Sequence, residues 1–420
     1  AALLPSSVSG STYTYSLSLT GLTSGQIYHY YIAAQDAASP ANISYSSGAP
    51  VHTDVSATPS PINSSPSSIT VASTTPLSGT VTVGTGGTYT TFNGASGLFA
   101  AINTNGVSSN LTVNVISDIT ETATTGLNQI AYYCGGPYTV TIQSSTTTLR
   151  TITAALTTAA IQFNGADNIL VEGNSGGAGR YLKFRNTNTT TGMTFQFLND
   201  ASNITIQNCD IIGMGSTTNT GVVSIGTGTS TGNNNITLNS NLLHDNGTGG
   251  YPLNLIYSSG TAGAPNNTIN ITNNEIYNFS CFSGGNGRRA YGINVTATGN
   301  GSNWTITGNS FYCTFVDGSG LQSAINFLPG SASANNTIST NWIGGKAANG
   351  GAANTPWQNS YDNFASGENQ GVGMDINAGS VTVNGNNITN IWWSNGDYSG
   401  YVCMHILGAT VATITNNNFS

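Results

Sequence analysis

Charge is what this sequence has least of. Its 420 residues include 7 Lys and Arg and 15 Asp and Glu, or 5% charged, where a soluble protein ordinarily carries about 25%. That scarcity excludes a highly charged disordered chain, and seven scattered basic residues exclude a nucleic-acid partner, which needs clustered Lys and Arg to displace counterions. Long apolar runs are missing as well. No stretch approaches the roughly 20 residues of a spanning helix, so no membrane span is expected. Cysteine is sparse: Cys134, Cys209, Cys281, Cys313 and Cys403 stand far apart with no CxxC pair, which argues against a zinc site or a thioredoxin-type motif. No metal or other cofactor is expected, and the odd count leaves at least one thiol unpaired. Helix-favouring charged residues are rare while Thr, Ile and Val abound, so the sequence reads as all-β. The opening Ala1-Ala-Leu-Leu4 is too short an apolar run for a signal peptide. The chain is therefore expected to start after processing or partway along a longer protein.

Three regions follow from composition. In residues 1–50, the Gly-containing turn Leu19-Thr-Gly-Leu22-Thr-Ser-Gly25 precedes Ile27-Tyr28-His-Tyr30-Tyr-Ile32, whose alternate residues are apolar or aromatic. This resembles the end of a fibronectin type III domain, and the resemblance makes Tyr28 the tyrosine-corner residue of a partial β-sandwich. Residues 51–79, with Pro59, Pro61, Pro66 and Pro76 among Ser and Thr, read as a stiff linker with one short strand at Ile69-Thr-Val71. From residue 80 to 420 the texture changes. One helical segment, Gly97-Leu-Phe-Ala-Ala-Ile102-Asn, opens this region and strands follow.

A repeat decides the fold of this third region. An apolar residue, two small polar residues, Asn, any residue and an apolar residue recur at Ile206–Ile211, Leu238–Leu243, Ile271–Ile276, Ile306–Phe311, Ile338–Ile343, Val383–Ile388 and Ile414–Phe419, with a first copy at Val171-Glu-Gly-Asn174. The fourth position holds Asn174, Cys209, Asn241, Asn274, Asn309, Asn341, Asn386 and Asn417. Each copy follows an apolar-x-apolar pair: Ile161/Phe163, Phe195/Phe197, Val223/Ile225, Leu253/Leu255, Ile293/Val295, Ile325/Phe327, Met374/Ile376 and Met404/Ile406. Copies lie 31 to 35 residues apart, with one interval of 45. A period of two inside each unit excludes helices, and successive units stack as parallel strands about 4.8 Å apart. The Asn is expected to occupy a left-handed bend and to bond to the Asn above and below, a ladder in which neutral side chains tolerate becoming their own neighbours.

Residues 80–420 resemble the pectin-lyase-like right-handed parallel β-helix, including the Gly-Thr-Tyr89 start and a short helix capping the first coil. The Thr/Asn/Gly-rich texture together with the fibronectin-like module is similar to the giant secreted and cell-surface proteins of Bacteroidota. That resemblance implies export by the type IX secretion system, an extracellular or surface location, and a solenoid continuing past residue 420.

Many proteins of this fold cleave polysaccharides, and acid–base groups for such chemistry would stand on outward positions of the strands. The middle residues of the apolar-x-apolar strands form a column, Gln162, Gln196, Ser224, Asn254, Asn294, Asn326, Asp375 and His405, in which Asp375 and His405 are neighbours placed for a carboxylate to orient an imidazole. A second column holds Asp210, Leu242 and Glu275, two carboxylates roughly 9–10 Å apart by strand spacing, near the separation of about 6.5–9.5 Å that an inverting glycosidase uses. No Arg or Lys is expected beside them in that register. His244, Tyr277 and Tyr312 align as an exposed ring stack for contact with sugars, and Trp304, Trp342, Trp392 and Trp393 add aromatic surface. Cys281 and Cys313 form the candidate disulfide, three residues apart in register. Asn-x-Ser/Thr triplets at Asn203, Asn235, Asn270, Asn294, Asn303 and Asn387 are products of the repeat. The reading favoured is a rigid, non-catalytic extracellular stalk or filament segment with extracellular glycans or further copies of itself as partners. A polysaccharide lyase or hydrolase and a carbohydrate-binding adhesin are the alternatives.

Overall fold

A computed structural model describes residues 75–420 apart from 134, 175, 177–178, 248–250, 281–288, 297–298, 319, 361–370 and 394–400, together with strand segments 7–9, 12–14, 27–30, 33–35, 43–45 and 67–70. The chain divides into two units, Ala1–Pro76 and Leu77–Ser420.

In the first unit three antiparallel pairs are described. Ser7–Ser9 pairs with Thr12–Thr14, Ile27–Tyr30 with Ser67–Thr70, and Ala33–Gln35 with Ile43–Tyr45. Tyr28 thus stands opposite Ile69, on the strand foreseen within the linker. The side-chain role expected of Tyr28 lies outside the described residues.

The second unit is a parallel β-solenoid with three faces. One face carries nine strands from Leu127–Asn128 to Tyr401–Ile406, the next eleven from Leu77–Val83 to Val411–Thr415, and the third ten from Ile119–Glu121 to Asn418–Phe419. Every neighbouring pair in these sheets is parallel. Between the first two strands of the second face lies the single α-helix among the described residues, Leu98–Asn105, which buries Leu98, Phe99 and Ile102. Phe92 packs on Phe99 with ring centroids 5.5 Å apart. Buried Glu121 accepts from the backbone N–H of Phe92 and Asn93 at 2.7 and 3.1 Å, fastening the segment before the helix to the first coils. Burial raises the Glu121 pKa in spite of those two bonds.

Stacking like on like forms the core. On the second face Val113, Ile142, Val171, Ile206, Leu238 and Ile271 follow one another in register, and on the third Ile152, Phe184, Ile211, Leu243, Ile276 and Phe311 do the same. All are buried, so each coil covers the apolar edge of the one before.

The Asn column lies at the bend between the second and third faces. Asn241 donates from its backbone N–H and from Nδ2 to Asn274 Oδ1, at 2.9 and 3.2 Å. Asn274 does the same to Asn309, Asn309 to Asn341, Asn341 to Asn386 and Asn386 to Asn417. Each Nδ2 also reaches back to a strand carbonyl of the preceding coil, as from Asn241 to Ile206 O and from Asn309 to Ile271 O, both 2.8 Å. One amide therefore binds three coils, and a polar group with almost no exposure has its partners. Cys209 joins through its N–H, which donates to Asn241 Oδ1 at 2.9 Å. The backbone N–H of Asn174 turns instead to Glu172 Oε1, 2.8 Å, ahead of an insertion that delays the next strand until Leu182.

Two expectations are corrected. The left-handed residue of the bend is the one before the ladder Asn: Asn208, Ser240, Asn273, Gly308, Thr340, Gly385 and Asn416 have φ between 52° and 71°. The turn and the amide bonding are thus divided between adjacent residues, because the ladder amide must point inward while the turning residue points out. The pair Leu253/Leu255 is also three residues early. Val223 and Ile225 stand opposite Ile256 and Ser258, so Tyr257 rather than Asn254 continues the outward column. Ser258 takes an apolar position because its hydroxyl bonds to Asn300 Oδ1 inside the bend.

Candidate functional site

The outward side of the third face gathers an unusual share of the charge. Its strands direct two columns away from the core. One runs Lys183, Asp210, Leu242, Glu275, Ser310, Trp342, and the other Arg185, Ile212, His244, then Tyr277 and Tyr312. Strand spacing thus brings residues 27 to 35 positions apart in the chain to within one interval of each other.

Asp210 is the centre of this cluster. Its Oδ2 lies 3.0 Å from Lys183 Nζ and its Oδ1 2.9 Å from His244 Nε2. His244 Nδ1 is 3.8 Å from Asp245 Oδ1, which accepts from Asn278 Nδ2 at 2.9 Å. Two intervals from Asp210, Glu275 Oε2 accepts from Tyr312 Oη at 2.9 Å, and Oε1 lies 3.9 Å from Arg180 Nη2. Arg180 Nε also donates to Ser240 O at 3.1 Å. The expectation that no basic residue stands beside these carboxylates is therefore wrong. The insertion after Asn174 carries Arg180 and shifts Lys183 out of the fixed spacing, so a column counted from the Asn misses both.

Electrostatics follow from this geometry. Burial opposes the charged form of Asp210, but His244 and Lys183 outweigh it and lower its pKa. Burial likewise disfavours a protonated His244, yet the bonds to Asp210 and Asp245 prevail and raise its pKa to about 9. Asp245 is lowered by His244, Asn278 and the Gly247 N–H against its own burial. At neutral pH the cluster holds a cationic imidazole between two carboxylates. Such an imidazole is a poor general base, since it already carries the proton it would have to accept.

The ring stack forms in a different sense from the one expected. His244 and Tyr277 lie 4.7 Å apart at 11°, and Tyr277 and Tyr312 4.7 Å apart at 6°. Their faces cover one another along the solenoid axis, so only ring edges point outward, and Tyr312 is 6% exposed. Burial pushes both phenol pKa values up, with Asp210 adding to it at Tyr277 and Glu275 at Tyr312.

Asp375 and His405 are neighbours in register on the first face, with Oδ1 and Nδ1 3.3 Å apart. Asn294, Asn326 and Asp375 precede His405 in that column, and Asn326 Nδ2 donates to Asn294 Oδ1 at 2.8 Å. Gln162 and Gln196 bond in the same way, 2.8 Å. The pair is distant in register from the Asp210 cluster, on another face.

The tryptophans separate by depth. Trp304 is fully buried at the position where the four preceding coils place Ile169, Ile204, Ile236 and Ile269 on the second face, and it meets Phe327 edge to face. Trp393 packs on Trp357 and Tyr401, and Trp392 is 52% exposed. Cys209 and Cys313 are buried free thiols, so Cys313 does not enter the expected disulfide; Cys281 lies outside the described residues. Burial raises the pKa of both thiols. Among the described residues no cluster of His, Cys, Asp and Glu is arranged to hold a metal ion, and no helix is long and apolar enough to cross a membrane.

No protein-family model and no curated protein sequence matches the chain. Among solved structures it is similar to the alginate lyase from Paenibacillus sp. str. FPU-7, with 11% identity and a TM-score of 0.34 over 81% of this chain and 99% of that one. It is also similar to the Streptococcus pneumoniae surface protein and adhesin PfbA, with 12% identity and a TM-score of 0.37 over 74% of this chain and 87% of that one.

Proposed function

We propose that the chain is an architectural and adhesive segment of an extracellular protein, a stiff solenoid that carries binding surface and performs no catalysis. The observation that carries this reading is the Asn ladder, in which each buried amide ties together three successive coils. Such bonding leaves little local unfolding to expose a cleavable segment, and seven Lys and Arg in 420 residues offer few sites to trypsin-like proteases. Both properties suit a surface exposed to extracellular proteases. A cell-surface setting of the Bacteroidota type, with a fibronectin-like module ahead of the solenoid and type IX export, is part of the same proposal.

The charged groups support it from the other side. Asp210, His244, Asp245 and Glu275 are engaged with Lys183, Asn278, Tyr312 and Arg180, and the acids of the central pair are held ionised. A lyase or hydrolase needs a group poised to exchange a proton near neutral pH. The test is incubation of the purified chain with a broad panel of acidic and neutral polysaccharides, following unsaturated uronate product and new reducing ends. No turnover is expected. Turnover abolished by Asp210→Ala or Asp375→Ala would overturn the proposal in favour of an enzyme.

A further inference from the structure

The second face differs from the other two in what its outward side chains leave unbonded. One column runs through the middle of its strands: Thr112, Thr141, Leu170, Thr205, Thr237, Asn270, Thr305 and Thr337 stand opposite one another on eight successive strands. Six of the eight are Thr, and all eight are half-buried by their neighbours in the sheet. These strands lie along the side of the solenoid, away from its first and last coils.

In other outward columns the side chains bond to one another. Gln162 Nε2 donates to Gln196 Oε1 at 2.8 Å, Gln143 Nε2 to Asn114 Oδ1 at 3.1 Å, and the hydroxyls of Thr307 and Ser339 share a bond of 3.0 Å. The Thr column behaves differently. Asn270 Nδ2 reaches Thr237 Oγ1 at 3.4 Å, but among the described residues the hydroxyls of Thr112, Thr141, Thr205, Thr305 and Thr337 bond to no protein group. Strand spacing sets successive side chains about 4.8 Å apart, beyond an O–H···O bond of about 2.7–2.8 Å, so these hydroxyls take water. Thr is β-branched and holds few χ1 states, and the backbone that carries it therefore sets where its hydroxyl and methyl stand.

That backbone is fixed on both sides of the column. Two residues before it stands a left-handed residue in six successive coils, Asn168, Asn203, Asn235, Thr268, Asn303 and Asn335, with φ between 53° and 63°. Three residues after it comes the bend that precedes the ladder Asn, as at Asn208 after Thr205 and Gly308 after Thr305. The ladder pins each coil to the next, and the column is a rigid row about 34 Å long that repeats at every strand. A second polar row lies two residues on, about 6.6 Å away, and is neutral except at Glu172. Water held at one spacing along a row and another across it is a fragment of a lattice. The strand spacing is close to the shortest repeat of hexagonal ice, and the distance between rows lies near its longer one. Many weak water-mediated bonds then add up over one rigid surface. A protein partner would want an apolar centre and a sugar an aromatic ring, and the row offers Leu170 and no aromatic.

We infer that the second face binds ice, with the row from Thr112 to Thr337 as the template that orders the first layer of water. The inference rests on the adhesive part of the function proposed above and names the surface adhered to. In the experiment the full chain is added to single ice crystals in buffer, and the gap between melting and freezing temperatures is read together with crystal shape. Expected are faceted crystals and a gap that grows with protein concentration. Thr237→Lys and Thr305→Lys each set a charge and a long side chain into the row and are expected to lose most of that gap, while Gln196→Lys on the first face keeps it. Both Thr positions face outward, so the variants are expected to fold, checked by unfolding midpoints. A parent chain that neither shapes ice nor opens a gap would overturn the inference, as would a full gap in Thr237→Lys and Thr305→Lys or an equal loss in Gln196→Lys. A dimer that sediments as such and is dissociated by Thr237→Lys would give the face to a second copy and overturn it too. Those outcomes leave the architectural reading standing, whereas turnover of a polysaccharide would remove that reading and not this one.

Discussion

His244 Nε2 stands 2.9 Å from Asp210 Oδ1 across one interval of the solenoid, and the same carboxylate holds Lys183 Nζ at 3.0 Å on its other oxygen. The pKa of His244 rises from 6.5 to about 9 on folding, because its bonds to Asp210 and Asp245 outweigh its burial. A raised folded-state pKa gives stability that is complete below the unfolded value of 6.5 and is lost as pH climbs through about 9. The chain is therefore expected to lose on the order of 2–3 kcal/mol over that alkaline interval. Urea unfolding midpoints at about pH 6 and about pH 9.5 measure this. The drop is expected to shrink in His244→Gln, and an equal drop in that variant would refute the assignment.

The Asn309 side chain accepts two bonds from Asn274 and donates from Nδ2 to Ile271 O and to Asn341 Oδ1. Asn309→Ala leaves the Asn274 N–H buried without its acceptor and removes one anchor of each adjoining coil. The expected cost is roughly 2–4 kcal/mol, since each orphaned buried group costs about 1–3 kcal/mol. Chemical denaturation reads it directly.

Thr340 occupies the left-handed bend position with φ 52°, where its neighbours in the column are Gly308 and Gly385. A β-branched residue is strained there, whereas Asn, found at three other bends of the same column, tolerates the conformation. Thr340→Asn is expected to stabilise the chain by about 1 kcal/mol. A melting temperature equal to or below that of the parent would contradict this.

Asp200 caps the loop that follows Val223–Ile225, the next strand of the first face. Its carboxylate accepts from the N–H groups of Thr229, Ser230, Thr231 and Gly232 at 2.8 to 3.1 Å and from the Thr229 and Ser230 hydroxyls. Burial is the largest single influence and works against the charge, but the donors of Thr229 and Ser230 together overcome it and hold the Asp200 pKa well below the ordinary carboxylate range. Its contribution is then present above the ordinary carboxylate pKa and lost only in strong acid. Asp200→Ala is expected to speed hydrogen exchange at residues 229–232 while leaving the ladder amides protected; exchange unchanged in that loop would show the cap to be dispensable.

Much of the solenoid was legible in the sequence because stacking makes local pattern and global contact the same thing. An apolar residue every second position and an Asn at a fixed place each recur once per coil, so Ile206, Leu238 and Ile271 announce their own contacts. The failures lie where a coil departs from the pattern. Leu253, Leu255 and Ile256 are all apolar, and alternation alone cannot choose between registers three residues apart; the choice rests on Ser258 meeting Asn300, forty-two positions away. Lys183 escaped notice because an insertion separates it from Asn174, which a fixed count cannot cross. The burial of Trp304 is hidden in the sequence, since its chain neighbours are polar while its place in the stack follows Ile269.

Every ladder amide described earlier points the same way, donating toward the higher-numbered coil and toward a carbonyl of the lower-numbered one. A coil is thereby a unit with one kind of upper surface and one kind of lower surface. Removing residues 274–308 would bring Asn241 against Asn309, the same donors against the same acceptor, and a duplicated coil would meet its neighbours on equal terms. Length in such a protein changes by whole coils without the invention of any new contact, and the turns absorb extra residues, whereas a single residue gained or lost inside a strand turns that strand's apolar side chains to the wrong face.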